Sequence, residues 1–199
     1  MHPSVINDVP RRMNNLWWER RLGISTRGVV PVAHEDSHHY ATLSYTTIWS
    51  ILNRLSLGPS DVFVDIGSGK GRVLCCAARY PVGQVVGVDL SEPFCEEARA
   101  NARRLRGRHA PISVEVSLAD AFDYSAASVL FLFDPFGPKT LGPLLEKIGR
   151  EPHRDVRIAY ANPTYDEVFE RQTWLERSER WDAAASGIEH SVSFYRSVN

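Results

Sequence analysis

Long apolar runs, metal-binding cysteine pairs and an excess of charge of either sign are all missing from this 199-residue sequence. No apolar stretch approaches the roughly 20 residues that a helix needs to cross a bilayer. The first ten residues, Met1 to Pro10, lack the apolar core of a signal peptide. A cytoplasmic location with no membrane partner is therefore expected. There are three cysteines, Cys75, Cys76 and Cys95, with no CxxC pair and no Cys/His spacing of the zinc kind. No metal is expected, and the adjacent Cys75 and Cys76 read as small buried hydrophobes. Lysines and arginines number 23 against 24 aspartates and glutamates, a net charge of -1. Such a chain has no global field to gather polyanions, so nucleic acid is not an expected partner unless a local basic patch exists. Internal repeats and low-complexity tracts are absent as well.

What is present divides near residue 58. Residues 1–57 form a polar, aromatic-rich segment, read as a helical lid. Within it Asn14 to Arg21 is expected to be helical and carries Trp17 and Trp18. With Arg11, Arg12, Arg20 and Arg21 these form an amphipathic helix or a surface for an anionic acceptor. From Thr42 to Leu55 the apolar residues fall mostly at helical spacing, and Gly58-Pro59 ends that helix.

Residues 58–199 alternate between strand and helix patterns. Val62 to Ile66 is short, apolar and β-branched, as a buried strand is. A glycine loop and an apolar helix from Gly71 to about Arg79 follow. Val85 to Leu90 predicts a second strand, and Glu92 to Arg106 a helix, acidic at its start and basic at its end. Further strands are expected at Ile112–Leu118, Val129–Phe133 and Val156–Ala161, the second of these fully apolar and so central. Helices are expected at Leu141–Ile148 and Tyr165–Arg171. Trp174–Trp181 and Ile188–Arg196 read as a closing antiparallel hairpin. The expected fold is α/β: a doubly wound, mostly parallel seven-stranded sheet with that hairpin at its C-terminal edge and the lid at its N-terminus.

In such a sheet ligands sit at the carboxyl ends of the strands. That rim would gather Asp65 to Gly71, Asp89, Asp120, Asp134 to Gly137 and Asn162-Pro163. Gly67, Gly69 and Gly71 would let the backbone turn tightly and approach a ligand. The dinucleotide pattern G-x-G-x-x-G is not matched, because the third glycine comes one residue early. Asp65, two residues before Gly67, would repel a pyrophosphate but suit a cationic amino group. Asp89, 24 residues after Asp65, is placed to accept from two ribose hydroxyls. Asp120 would meet the exocyclic amine of an adenine, with Phe122 as a flat apolar neighbour.

Taken together, Val62 to Gly71 resembles the first motif of the class I S-adenosylmethionine-dependent methyltransferases. Val88-Asp89-Leu90-Ser91 is similar to their ribose motif and Ala119-Asp120-Ala121 to their adenine motif. More narrowly, Asp65 to Arg72, DIGSGKGR, resembles a bacterial group of methyltransferase-like proteins. That group has an upstream Leu-Gly-x-x-Thr element, met here by Leu22 to Thr26, and a tyrosine before the first strand, met by Tyr40 or Tyr45. The loop also faintly resembles the non-SET nucleosomal lysine methyltransferases. The resemblance implies S-adenosylmethionine as cofactor and its homocysteine product, without metal. It implies cofactor contacts from Tyr45, Asp65, Ile66, Gly67, Ser68, Gly69, Gly71, Asp89, Leu90, Asp120, Ala121, Phe122 and Phe136.

Asp134-Pro135-Phe136-Gly137 is similar to the Asn/Asp-Pro-Pro-Tyr/Phe motif of methyltransferases that act on planar amines, with Phe136 in place of the second proline. Asp134 is the first catalytic candidate, as acceptor or base; as a bland alternative it caps the next helix. His39 and Tyr40 are the others, beside His34 and His38, since an imidazole suits proton transfer near neutrality. The expected activity is methyl transfer to nitrogen or oxygen of a small molecule, because no recognition module is evident. A lysine-type protein or peptide methyltransferase is the second reading, and a cofactor-binding partner protein without turnover the third.

Overall fold

A computed structural model describes residues 8–28, 36, 41–151 and 155–198. The chain begins with α1 (Asp8–Leu22) and α2 (Tyr45–Leu55). Alternation follows: β1 (Val62–Ile66), α3 (Arg72–Ala77), β2 (Gln84–Asp89), α4 (Glu92–Arg104), β3 (Ile112–Val116), β4 (Val129–Phe133), α5 (Pro138–Arg150) and β5 (Arg157–Ala161). It closes with α6 (Asp166–Glu170), β6 (Leu175–Trp181), α7 (Ala183–Ser186) and β7 (Val192–Ser197).

One seven-stranded sheet has the order β3-β2-β1-β4-β5-β7-β6. β1 to β5 run parallel, while β7 pairs antiparallel with both β5 and β6. This is the expected α/β architecture, with β4 at its centre. Register fixes which side chains face which layer. Phe63 packs on one face with α2, α3 and part of α4, while Val64 and Ile66 pack on the other with α5 and α6. All five residues of β4 contribute, since helices cover both faces.

The region before residue 58 is built onto the first of these layers. Ile48, Ile51 and Leu52 of α2 are completely buried against it. Ser44 caps α2 by accepting from Thr47 N. α1 is longer than its sequence pattern indicates, because Trp18 and Leu22 bury a stripe that its polar composition hides. Its buried Glu19 meets the equally buried Arg72 at 3.2 Å. Arg72 also donates to Thr26 Oγ1 at 2.7 Å and to Leu43 O at 2.8 Å, and lies over the Tyr45 ring. The last residue of the DIGSGKGR loop thus pins the N-terminal segment to the start of α3. The three cysteines are buried and free. Among the described residues no helix is long and apolar enough to cross a membrane.

Three sequence expectations shift. β3 stops at Val116, so Asp120 lies four residues beyond it in an exposed turn rather than at the strand end. β7 starts at Val192, which leaves Ile188 to Ser191 outside the strand. The short α7 lies in the connection read as a plain hairpin turn.

Candidate functional site

Strand order reverses at β1, whose neighbours β2 and β4 are reached by connections on opposite sides. A crevice at the carboxyl end follows from that topology. The loop after β1 lies against the end of β2, with Gly67 N and Ser68 N both donating to Val88 O. Gly67 and Gly71 each have φ of +78°. A Cβ on Gly67 would stand 2.6 Å from Pro135 Cβ, so the loops after β1 and β4 touch there and only glycine fits. Gly67 is nevertheless exposed on its other side, while Ser68, Gly69 and Gly71 are buried.

Two carboxylates flank this loop. Asp89 is half-buried; it accepts from Gly69 N at 2.8 Å through Oδ2 and from Ser91 N at 2.9 Å through Oδ1. Burial raises its pKa, and the backbone amides pull the other way. Asp65 shares the Phe63 face of β1 and is buried, and no group among the described residues donates a hydrogen bond to it. Burial, then the nearby Asp89 charge, pushes Asp65 well above the usual carboxylate range. The buried Ser68 Oγ also lacks a hydrogen-bond partner among the described residues. A loop with an exposed glycine, an uncompensated buried acid and an orphaned hydroxyl fits a ligand carrying a cationic amino group and ribose hydroxyls.

Beyond Asp89 the surface turns apolar: Leu90 and Leu118 are exposed, and they flank the end of the β2–β3 pair where Ser117 N donates to Asp89 O. Phe122 is partly buried against Tyr124. Ala121 and Asp120 are exposed, and the Asp120 carbonyl is held by Lys147 Nζ at 2.8 Å.

At the end of β4, Asp134 takes φ of +40° and is buried. Tyr160 Oη donates to its Oδ1 at 2.8 Å, while Asn162 Nδ2 and Thr164 Oγ1 donate to its Oδ2 at 3.0 and 2.7 Å. Asp134 does not cap α5. That role falls to Asp36, whose carboxylate accepts from Thr140 N and whose carbonyl accepts from Gly137 N, each at 2.8 Å.

Several expected site residues are placed elsewhere. Tyr45 has no exposed surface and stacks between Trp18 and Arg72, beneath the rim rather than on it. Phe136 is 7% exposed and packs into the core on the α5 side; with Phe136 in the second-proline position the ring turns inward and Pro135 meets Gly67 instead. Ile66 is a core residue whose backbone alone reaches the loop. His34, His38, His39 and Tyr40 lie outside the described residues.

One further side chain, not singled out from the sequence, lies at this end of the sheet. The His190 ring lies tilted against Phe133, the residue before Asp134, at 5.3 Å between ring centres. Its neighbour Ser191 accepts from Asn162 N, and Glu189 accepts from Ser44 N at 2.8 Å and pairs with Arg11. The sequence pattern put His190 inside a strand, where alternation gave it no special place. The signal available was Gly187 three residues before it, which marks the end of α7 and not a strand.

The family model for "Histone methylation protein DOT1" matches residues 34–118, less than half of the chain. The H3 lysine-79-specific histone-lysine N-methyltransferase of Caenorhabditis elegans is 36% identical over 72 residues, 32% of this chain and 8% of that protein. A probable cobalt-precorrin-6B C(15)-methyltransferase (decarboxylating) of Thermoplasma volcanium is 36% identical over 78 residues, 38% of this chain and 37% of that protein. The chain thus spans well under half the length of these curated relatives. Among solved structures, geranyl diphosphate C-methyltransferase from Streptomyces coelicolor A3(2), in complex with S-adenosyl-L-homocysteine, is similar over 100% of both chains. Its TM-score is 0.64 at 17% identity. The strand order, the glycine loop at its switch point and these likenesses agree: the chain has the fold of the class I S-adenosylmethionine-dependent methyltransferases.

Proposed function

We propose that this protein transfers a methyl group from S-adenosylmethionine to nitrogen or oxygen of a small-molecule acceptor. The observation that carries the reading is the pair Asp65 and Asp89 flanking the exposed Gly67, next to the Asp134 rim. The cofactor would supply a methyl group already activated on a sulfonium, so the protein's task is alignment, desolvation and proton removal. Asp89, oriented by two backbone amides, would accept from the ribose hydroxyls. Asp65 would regain its charge beside the amino group of the methionine end. Leu90, Leu118 and Phe122 would flank the adenine.

Three donors already converge on the Asp134 carboxylate. Asp134 therefore shapes the acceptor side of the rim and orients Asn162, while His190 takes the acceptor's proton. Asp36 lies at this rim, on the start of α5, and in sequence His38, His39 and Tyr40 follow it by two to four residues. That supports the reading of residues 1–57 as a cover for the site.

Calorimetry should show S-adenosylmethionine and its homocysteine product binding and NAD not binding. Label from methyl-labelled cofactor should then appear in the small-metabolite fraction of an extract. The DOT1 match over residues 34–118 favours a second reading, a lysine side chain of a protein as acceptor. Label in protein would select it. Binding without transfer to any fraction would leave a non-catalytic partner protein, and tight NAD binding alone would overturn the whole proposal.

A further inference from the structure

The arginines of this chain fall into two sets. Many on the surface hold a carboxylate, as Arg99 holds Glu92 at 2.9 Å and Arg150 holds Glu146 at 3.4 Å. Arg20, Arg21, Arg103, Arg104, Arg106 and Arg108 are all exposed, yet none has a carboxylate among the described residues within 4.0 Å. Arg20 and Arg106, far apart in sequence, meet in space. Arg106 N donates to Leu22 O at 2.9 Å and its guanidinium to Arg20 O at 3.3 Å. Arg79 Nη1 donates in turn to Arg106 O at 2.9 Å. The end of α1 and the connection from α4 to β3 thus lie side by side, and both carry exposed arginines in a chain whose net charge is -1.

Helix dipoles account for part of it. Arg20, Arg21, Arg103 and Arg104 lie in last turns, where a cation is favoured. Arg106 and Arg108 lie beyond the helix, and cations held together without counter-charge repel. An exposed aromatic joins them. Trp17 is 52% exposed, one turn before Arg20 and Arg21, with the Arg21 guanidinium 5.3 Å from its ring centre.

We propose that this surface binds single-stranded RNA, the arginines meeting phosphates and Trp17 stacking on a base. An exposed indole beside a guanidinium matches the face of an unpaired base, which a duplex keeps stacked and a lipid headgroup does not have. α1 turns Trp18 and Leu22 to the core, so it has too little free apolar face to lie in a bilayer. The surface lies where α4 ends and β3 begins, at the opposite end of the sheet from Gly67 and Asp134. RNA there leaves the rim open, and the proposal stands apart from the methyl-transfer reading.

Fluorescence anisotropy of a short labelled oligouridine with the full chain tests it. Affinity should fall with salt at about -0.7 in log–log slope per phosphate contacted. Replacing Arg20, Arg21, Arg106 and Arg108 by serine should lower that slope by about 3 in magnitude, with circular dichroism unchanged. Trp17→Ala should weaken binding by about five- to a hundredfold, and as an exposed position it carries the test alone if the fourfold variant does not fold. Binding untouched by both replacements overturns the proposal. So does tighter binding of duplex DNA, polyglutamate or phosphatidylserine vesicles than of oligouridine.

Discussion

Asp134 and Asn162 end the neighbouring parallel strands β4 and β5, and both hold left-handed backbone, at φ of +40° and +53°, with the Asn162 amide donating to Asp134 Oδ2 at 3.0 Å. Such conformations cost on the order of 1–3 kcal/mol each and persist where the surroundings enforce them. Here the enforcement is the set of donors from Tyr160, Asn162 and Thr164.

Asp134→Ala would leave the buried Tyr160 hydroxyl without its acceptor, at a cost of about 1–3 kcal/mol. Loss of activity in that variant therefore mixes stability with mechanism. Asp134→Asn keeps one acceptor oxygen and tolerates positive φ. Its turnover should stay within about tenfold of the parent, while His190→Gln should lower kcat by about a hundredfold, the scale of a lost general base. Initial-rate kinetics beside thermal melts separate the two. A dead Asp134→Asn with a normal melt, and an active His190→Gln, would return the base role to Asp134.

Asp89 holds the loop as well as its proposed ligand. Asp89→Ala removes charge-assisted hydrogen bonds worth about 1.5–3 kcal/mol each. It also frees Gly69 N and Ser91 N. Calorimetry should show cofactor affinity reduced at least tenfold in a protein that still folds. Unchanged affinity would remove Asp89 from the site.

Asp65 works against stability until something cationic binds. Burial raises its pKa from 3.8, so between that value and the raised one the native state holds a proton that the unfolded chain releases. Stability from this group is complete at low pH and falls as pH rises through that window. Asp65→Asn should raise the melting temperature of the cofactor-free protein at neutral pH, by about 2–4 °C for each kcal/mol relieved, and flatten its decline with pH. The same variant should bind S-adenosylmethionine more weakly. A lower melting temperature across the whole range would show that Asp65 is compensated in the native state.

Glu19 and Arg72 form a buried pair, each 3% exposed. Arg72→Met would leave Glu19 with Arg27 at 2.8 Å and the Thr26 donors as its remaining partners, so the loss should stay below the about 3–5 kcal/mol of a fully broken buried pair. Hydrogen exchange should speed up first around Thr26 and Leu43, which Arg72 holds. Uniform loss of protection over the whole chain would mean that this segment does not open separately.

Periodicity carried most of the fold. β4 was legible to the residue because its five apolar side chains pack on both faces, and the order of the strands followed from local pattern, though the short α7 did not. The glycine loop with Asp65 and Asp89 was legible for the same reason: backbone sterics and a strand end both act within a few residues. Tyr45, Phe136 and His190 were misread because their placement depends on partners far along the chain. Tyr45 is sealed in by Trp18 and Arg72, Phe136 by the α5 layer, and His190 is turned toward Phe133 by a loop whose Glu189 reaches Ser44. Charge shows the division most clearly. The sequence sets the total at -1, but only packing the end of α1 beside the connection after α4 brings Arg20 next to Arg106, because Coulomb interactions depend on distance in space and not along the chain.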